Sequence, residues 1–224
     1  GVSVRTIGAN AFNGNWNLIY LTLPEGLTAI EDGAFESAYQ LSFVEFPSTL
    51  RTIGNRAFYN YRGGKLMLPE GLERIGDEAF YRCSVRGTLE LPEGLKEIGD
   101  SAFARSIFMR TLDLPSTLEI IGEHAFEDVS LSYVYMDGLT PPKVAKTAFA
   151  ECTSLADIEL NEYCTKQQML DLQAIIDEAG VNCRVWRYEN TQTSTAKGAS
   201  YIYNPNNSDE VYLAGYDGEE TQIR

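Results

Sequence analysis

The sequence predicts an α/β fold of one kind: a right-handed solenoid of seven short units with a parallel β-sheet on its concave face, short turns or helical segments opposite, and one C-terminal capping helix. Three observations predict it. The motif Ile-Gly-x-x-Ala-Phe, or a close variant, ends at Phe12, Phe35, Phe58, Phe80, Phe103, Phe126 and Phe149, at intervals of 23, 23, 22, 23, 23 and 23 residues. An apolar residue followed by proline recurs in the same register at Leu23-Pro24, Phe46-Pro47, Leu68-Pro69, Leu91-Pro92 and Leu114-Pro115. After Leu160 the period stops and a helix signature replaces it. A fixed period of this length marks units that bury their apolar faces only by stacking on one another.

Within one unit, Leu89 and Leu91 alternate with Thr88 and Glu90, the period of a short strand with one buried face. Pro92 ends it, because proline has no N–H for a sheet ladder. Leu95 and Ile98 return a second apolar edge to the core, as another short extended segment leading into Gly99, which is read as the residue that permits a tight corner. Asp100 then fills a position assigned elsewhere to Asn10, Asp32, Asn55, Asp77 and Glu123, where a carboxylate or amide caps free N–H groups. Calcium is the competing use of such a stack, but one carboxylate per rung falls short of the six to eight or so oxygens the ion takes. Phe103 and its equivalents are the wedges that fill the interior between rungs, each contributing about 1.5 to 3 kcal/mol on burial.

The expected domain boundaries are residues 1–160 for the seven units, 161–189 for a helix-strand cap, and 190–224 for a polar linker with a β-hairpin. Thr165-Lys166-Gln167-Gln168 has the form of a capping box and opens a helix to about Ala179, which Gly180 closes. Met169, Leu172, Ile175, Ile176 and Ala179 share one face, so the helix covers the open core of the last rung. Val181 to Tyr188 adds one more parallel strand beside residues 155–160. Beyond the Thr-, Ser- and Gln-rich stretch after Asn190, Tyr201-Ile202-Tyr203 and Val211-Tyr212-Leu213 read as a hairpin that docks on the solenoid.

Charge and composition exclude several function classes. The chain has 224 residues, 44% hydrophobic, with 18 Lys and Arg against 32 Asp and Glu, a formal net charge of −14. Such a surface repels phosphate, so neither nucleic acid nor an anionic membrane is an expected partner. No apolar run approaches the roughly 20 residues of a spanning helix. Gly1 falls inside the repeat pattern, which reads as an upstream segment, with any export signal, lying outside this sequence. The cysteines at 83, 152, 164 and 183 lack Cys-x-x-Cys spacing, and the single His124 takes a position held elsewhere by Arg56, Glu78 and Ser101. Neither a metal site nor a cofactor is expected. Cys83 and Cys152 lie three rungs apart, roughly 14 Å at strand spacing, beyond disulfide reach. Cys164 and Cys183 bracket the helix, so all four thiols are expected free and mostly buried. No nucleophile finds a base in this arrangement, so no catalytic residue is assigned.

Side chains alternating with the buried ones face outward from the concave sheet. The binding residues expected there are Tyr20, Phe43, Glu45, Lys65, Met67, Glu90, Asp113, Tyr133, Tyr135 and Glu159, accompanied by Thr22, Thr88, Thr111 and Asp157. Tyr20 with Phe43 and Tyr133 with Tyr135 stand out, because aromatic rings supply contact area at low entropic cost. The alternative for these rings is stacking on their rung neighbours.

The unit resembles the BspA-like leucine-rich repeats, most literally at Leu91-Pro92-Glu93-Gly94-Leu95-Lys96-Glu97-Ile98-Gly99-Asp100-Ser101-Ala102-Phe103 and Ala148-Phe149-Ala150-Glu151-Cys152-Thr153-Ser154-Leu155. The resemblance spans residues 2–160. It departs at the family's cysteine position, which holds Cys only at Cys83 and Cys152 and otherwise Asn15, Ala38, Tyr61, Ser106 and Val129, and at Pro141-Pro142-Lys143-Val144 in the seventh unit. It implies a non-enzymatic bacterial module, at the cell surface or secreted, that serves adhesion and protein binding; the acidic residues of the outward stripe favour a basic partner. Glycan recognition by the same aromatics, and a spacer role for a domain outside this sequence, are the alternatives.

Overall fold

The computed structural model describes residues 4–85, 87–108 and 110–187 in full, and beyond them the backbone of three strands at 200–203, 211–214 and 222–223. In chain order the elements are β1 (Thr6–Ile7), β2 (Tyr20–Thr22), β3 (Ala29–Ile30), β4 (Phe43–Glu45), β5 (Thr52–Ile53), β6 (Arg74–Ile75), β7 (Glu97–Ile98) and β8 (Thr111–Leu114). They continue with β9 (Ile120–Ile121), β10 (Tyr133–Met136), β11 (Lys143–Val144), β12 (Asp157–Leu160), α1 (Lys166–Glu178), β13 (Arg184–Arg187), β14 (Ser200–Tyr203), β15 (Val211–Ala214) and β16 (Gln222–Ile223). Each repeat is one rung of a leucine-rich-repeat solenoid, and strands of successive rungs pair in parallel.

The most continuous sheet is built from the second extended segment of each unit. Its seven strands run β1-β3-β5-β6-β7-β9-β11 in unbroken parallel register. Ile7, Ile30, Ile53, Ile75, Ile98, Ile121 and Val144 stack along its inner face. The first segment, expected as a strand in every unit, forms two shorter pieces instead: β2-β4, and β8-β10-β12-β13. Between them Leu66 and Leu89 are still buried, yet pairing shrinks to one bridge, Met67 to Glu90. The cause lies just upstream, where Gly63-Gly64 and Gly87 precede these segments. Glycine supplies no side chain to hold a pleat and loses the most entropy when ordered.

Inside, the seven phenylalanines form one column. Ring centroids from Phe12 through Phe149 step by 5.2 to 5.6 Å with planes within 14° of parallel. Phe12, expected as an interior wedge like the others, is 40% exposed because it has a neighbour on one side only. Pro24, Pro47 and Pro115 follow the ends of β2, β4 and β8 as expected, and the carbonyl of each repeat proline, Pro69 and Pro92 included, accepts the N–H of the leucine three residues on, as Leu95 N–H does to Pro92 at 3.2 Å.

Two expectations at the corner are corrected. Gly54, Gly76, Gly99 and Gly122 do not hold left-handed backbone; the residues that do are Arg56, Glu78, Ser101 and His124, two positions later. Their glycine serves close approach instead. A Cβ on Gly99 would lie 2.5 Å from Asp77 Oδ1 and 2.8 Å from its backbone nitrogen. The Asp and Asn side chains do cap N–H groups, but those of the next rung: Asp32 accepts from Asn55, Asn55 from Asp77, Asp77 from Asp100 and Asp100 from Glu123, at 2.7 to 3.0 Å. Asn10 is not in this series. Its N–H donates to Asp32 O as Gly33 N–H does to Asn55 O, so Ala9 holds the equivalent place and Asn10 aligns with Gly33.

At the C-terminal end α1 carries the expected capping box between Thr165 and Gln168. Met169, Leu172 and Ile176 are buried, with Ile175 and Ala179 packed against the same core. Gly180 closes the helix in left-handed backbone, at φ 71°. β13 then pairs with β12, completing a strand-helix-strand crossover. The tail strands β14 and β15 pair antiparallel with Tyr201 opposite Leu213, and β16 extends them. The expected docking of this hairpin, and the linker before it, lie outside the described residues.

Candidate binding face

The outward side of the β2-β4 and β8-β10-β12-β13 sheets carries seven of the ten residues expected to bind, and the interrupted stretch between them carries Lys65, Met67 and Glu90. Tyr20 aligns with Phe43 and Thr22 with Glu45. Tyr20 is 73% and Phe43 40% exposed, so neither is packed away against its rung neighbour. Lys65, Met67 and Glu90 are exposed on the interrupted stretch, where Lys65 pairs with Glu90 at 3.4 Å.

On the longer sheet the strands align two outward rows. Thr111, Tyr133, Asp157 and Arg184 form one; Asp113, Tyr135, Glu159 and Trp186 form the other. Tyr133, Tyr135 and Glu159 are half-buried here while Asp113 is exposed. The Tyr135 hydroxyl donates to Asp137 Oδ1 at 3.1 Å, and burial followed by that bond holds its pKa above the usual phenol value. Glu159, between Tyr135 and Trp186 in register, has its carboxyl pKa raised by burial. Arg184 reaches Asp157 at 2.6 Å. Beside Tyr135, a depression of about 270 Å³ is lined in part by Asp113 and Asp137. One tyrosine ring with carboxylates around it suits a cationic side chain, which gains from both the ring and the charges.

Residues 51–110 hold ten Lys and Arg against eight Asp and Glu, whereas 111–187 hold five against thirteen. Half of the basic groups in the middle rungs are spent on these cross-rung pairs: Arg56 with Glu36 and Glu78, Arg51 and Lys96 with Glu73, Arg74 with Glu97, and Arg105 with Glu127. Sequence reasoning missed this network and the Tyr59–Tyr81 stack beside it, at 5.1 Å with the Arg56 guanidinium over Tyr59. Repeat spacing was the available signal, since Glu36, Tyr59, Tyr81 and Glu127 all follow the rung phenylalanine.

All four cysteines are free and buried. Cys152 donates through sulfur to Phe126 O, as the Ser106 hydroxyl does to Phe80 O at 2.8 Å, so Ser and Cys make the same cross-rung bond at this position. Burial pushes the Cys152 thiol up to about 11 and Cys183 to about 12, far from a reactive thiolate. Among the described residues no group of three His, Cys, Asp or Glu is arranged to hold a metal, and no helix is long and apolar enough to cross a membrane.

The BspA type leucine rich repeat region is matched in six copies over residues 5–132 and 75–170. No curated protein matches the chain. Solved structures similar to it include a leucine-rich repeat protein from Bacteroides ovatus, at 18% identity and TM-score 0.34 over 70% of this chain and 59% of that one. A T. pallidum leucine-rich repeat protein matches at 19% and 0.43 over 78% of each chain. A leucine-rich cell surface protein from Faecalibacterium prausnitzii matches at 18% and 0.36 over 84% of this chain and 63% of that one.

Proposed function

Because the chain belongs to the BspA-type leucine-rich-repeat family, we propose that it is a non-enzymatic binding module of an extracellular bacterial protein, either secreted or held at the cell surface, and that it acts in adhesion. A basic protein partner lies on the outward sheet face, with its cationic side chains against Tyr133, Tyr135, Asp113 and Glu159. The observation that carries this reading is the in-register row Asp113, Tyr135, Glu159 and Trp186 on β8, β10, β12 and β13, which alternates carboxylates and rings at fixed spacing, with Tyr133 in the row beside it. A rigid parallel scaffold presents such groups without further ordering cost, and preorganisation is where binding energy is saved. Tyr20, Phe43, Glu45, Lys65, Met67 and Glu90 extend the same face toward the N-terminal rungs.

The test is retention of basic extracellular proteins by the immobilised chain, against a Tyr133→Ala/Tyr135→Ala variant of unchanged thermal stability. A basic partner held by the wild type and lost from the variant supports the proposal. Equal retention by both contradicts it.

A further inference from the structure

The first two rungs carry a second surface whose chemistry differs from that of the acidic rows. Trp16 stands four residues after Phe12, and Tyr39 four residues after Phe35, so the two occupy equivalent places on adjacent rungs. The backbone is stacked on both sides of them: Gly14 N–H donates to Glu36 O at 2.8 Å and Ser42 N–H to Ile19 O at 2.9 Å. Trp16 is 67% and Tyr39 46% exposed, and each is followed by an exposed amide, Asn17 and Gln40. Neither amide side chain, nor the Tyr39 hydroxyl, has a hydrogen-bond partner among the described residues. From Asn13 to Tyr20, and again from Ser37 to Val44, there is no charged residue, in a chain that is 22% charged overall.

An exposed apolar patch of this kind marks an interaction site, and the groups around it select the partner. A basic polypeptide would need free carboxylates, and the one beside this corner, Glu36, is already paired with Arg56. A sugar ring offers a flat face of C–H groups and a rim of hydroxyls. The first matches exposed rings, and the second matches amides, which both donate and accept. We propose that Trp16, Asn17, Tyr39 and Gln40 form a subsite for a neutral saccharide, separate from the acidic rows.

The test uses cellohexaose, mannohexaose and xylohexaose as probes on the full chain carrying Trp186→Phe, which leaves Trp16 as the sole fluorophore of the two tryptophans. A saturable change in Trp16 emission with at least one hexaose is expected, with affinity reduced about tenfold or more by Tyr39→Ala and also lowered by Gln40→Ala. No response to any of the three at about 10 mM would overturn the proposal. So would an affinity that Tyr39→Ala leaves unchanged, or polylysine binding at this corner in place of sugar. Tyr133 and Tyr135 lie outside the subsite, so either outcome leaves the protein-binding test independent.

Discussion

At the scale of single residues, the rung glycine is set by its neighbour, since a Cβ on Gly122 would lie 2.4 Å from Asp100 Oδ1. The rung phenylalanines and the leucines after each proline were legible, because burial leaves a periodic apolar signature. The glycine was legible as a requirement but not for its cause, since a close approach depends on the neighbouring rung. The pattern agrees with that cause: glycine stands wherever the preceding rung offers Asp or Asn, as Gly54 follows Asp32 and Gly122 follows Asp100. It is replaced where that residue is Ala9 or Glu123, by Glu31 and Ala145. Gly99→Ala should therefore cost about 1 to 3 kcal/mol in urea denaturation, and adding Asp77→Ala should recover part of the loss. Full additivity of the two would contradict the contact. The thiols give a pH prediction. An unfolded thiol ionises near about 8.5, whereas Cys152 keeps its proton to about 11 when folded, so the folded chain binds more protons between these values. Stability should fall as pH rises through that window, and Cys152→Ser should flatten part of the fall, read as urea midpoints.

Between elements, adjacent rungs are keyed by a pairing that sequence reasoning did not see. Glu93 accepts from the backbone and hydroxyl of Ser116, while the Thr117 hydroxyl accepts from Gly94 N–H and donates to Leu95 O. Glu25-Gly26 meets Ser48-Thr49 in the same way. The residue types were visible in the turns, but reciprocity appears only once the rungs are stacked. Thr117→Val should cost about 0.5 to 1.5 kcal/mol by removing the hydroxyl that both accepts and donates across the rungs, and a calorimetric loss below about 0.2 kcal/mol would refute the key. The phenylalanine column sets a larger scale: Phe80→Ala should cost about 3 to 5 kcal/mol, since Phe58 and Phe103 lose the ring between them. A loss under about 1 kcal/mol would contradict that packing.

For the whole molecule, period, cap and strand order were readable because each rung repeats one solution and the cap departs from it. The continuous sheet was underestimated, since its strands are two residues long and leave little alternation to detect. The predicted sheet proved interrupted where glycines enter. The candidate face was legible as a stripe of alternation, whereas the neutral aromatic corner at Trp16 and Tyr39 lies off that stripe and emerges only from exposure. The central claim is that seven units form one uninterrupted parallel stack, so distance must grow by one strand spacing per rung. Spin labels on cysteines introduced at Ala29 and, in separate variants, at Glu97, Ile120 or Lys143 measure this directly by pulsed dipolar spectroscopy. The strand order places these sites three, four and five steps from Ala29, predicting backbone separations of roughly 14, 19 and 24 Å. A series that rises by one step per rung is the expected result; distances that fail to rise with rung number would contradict the stack.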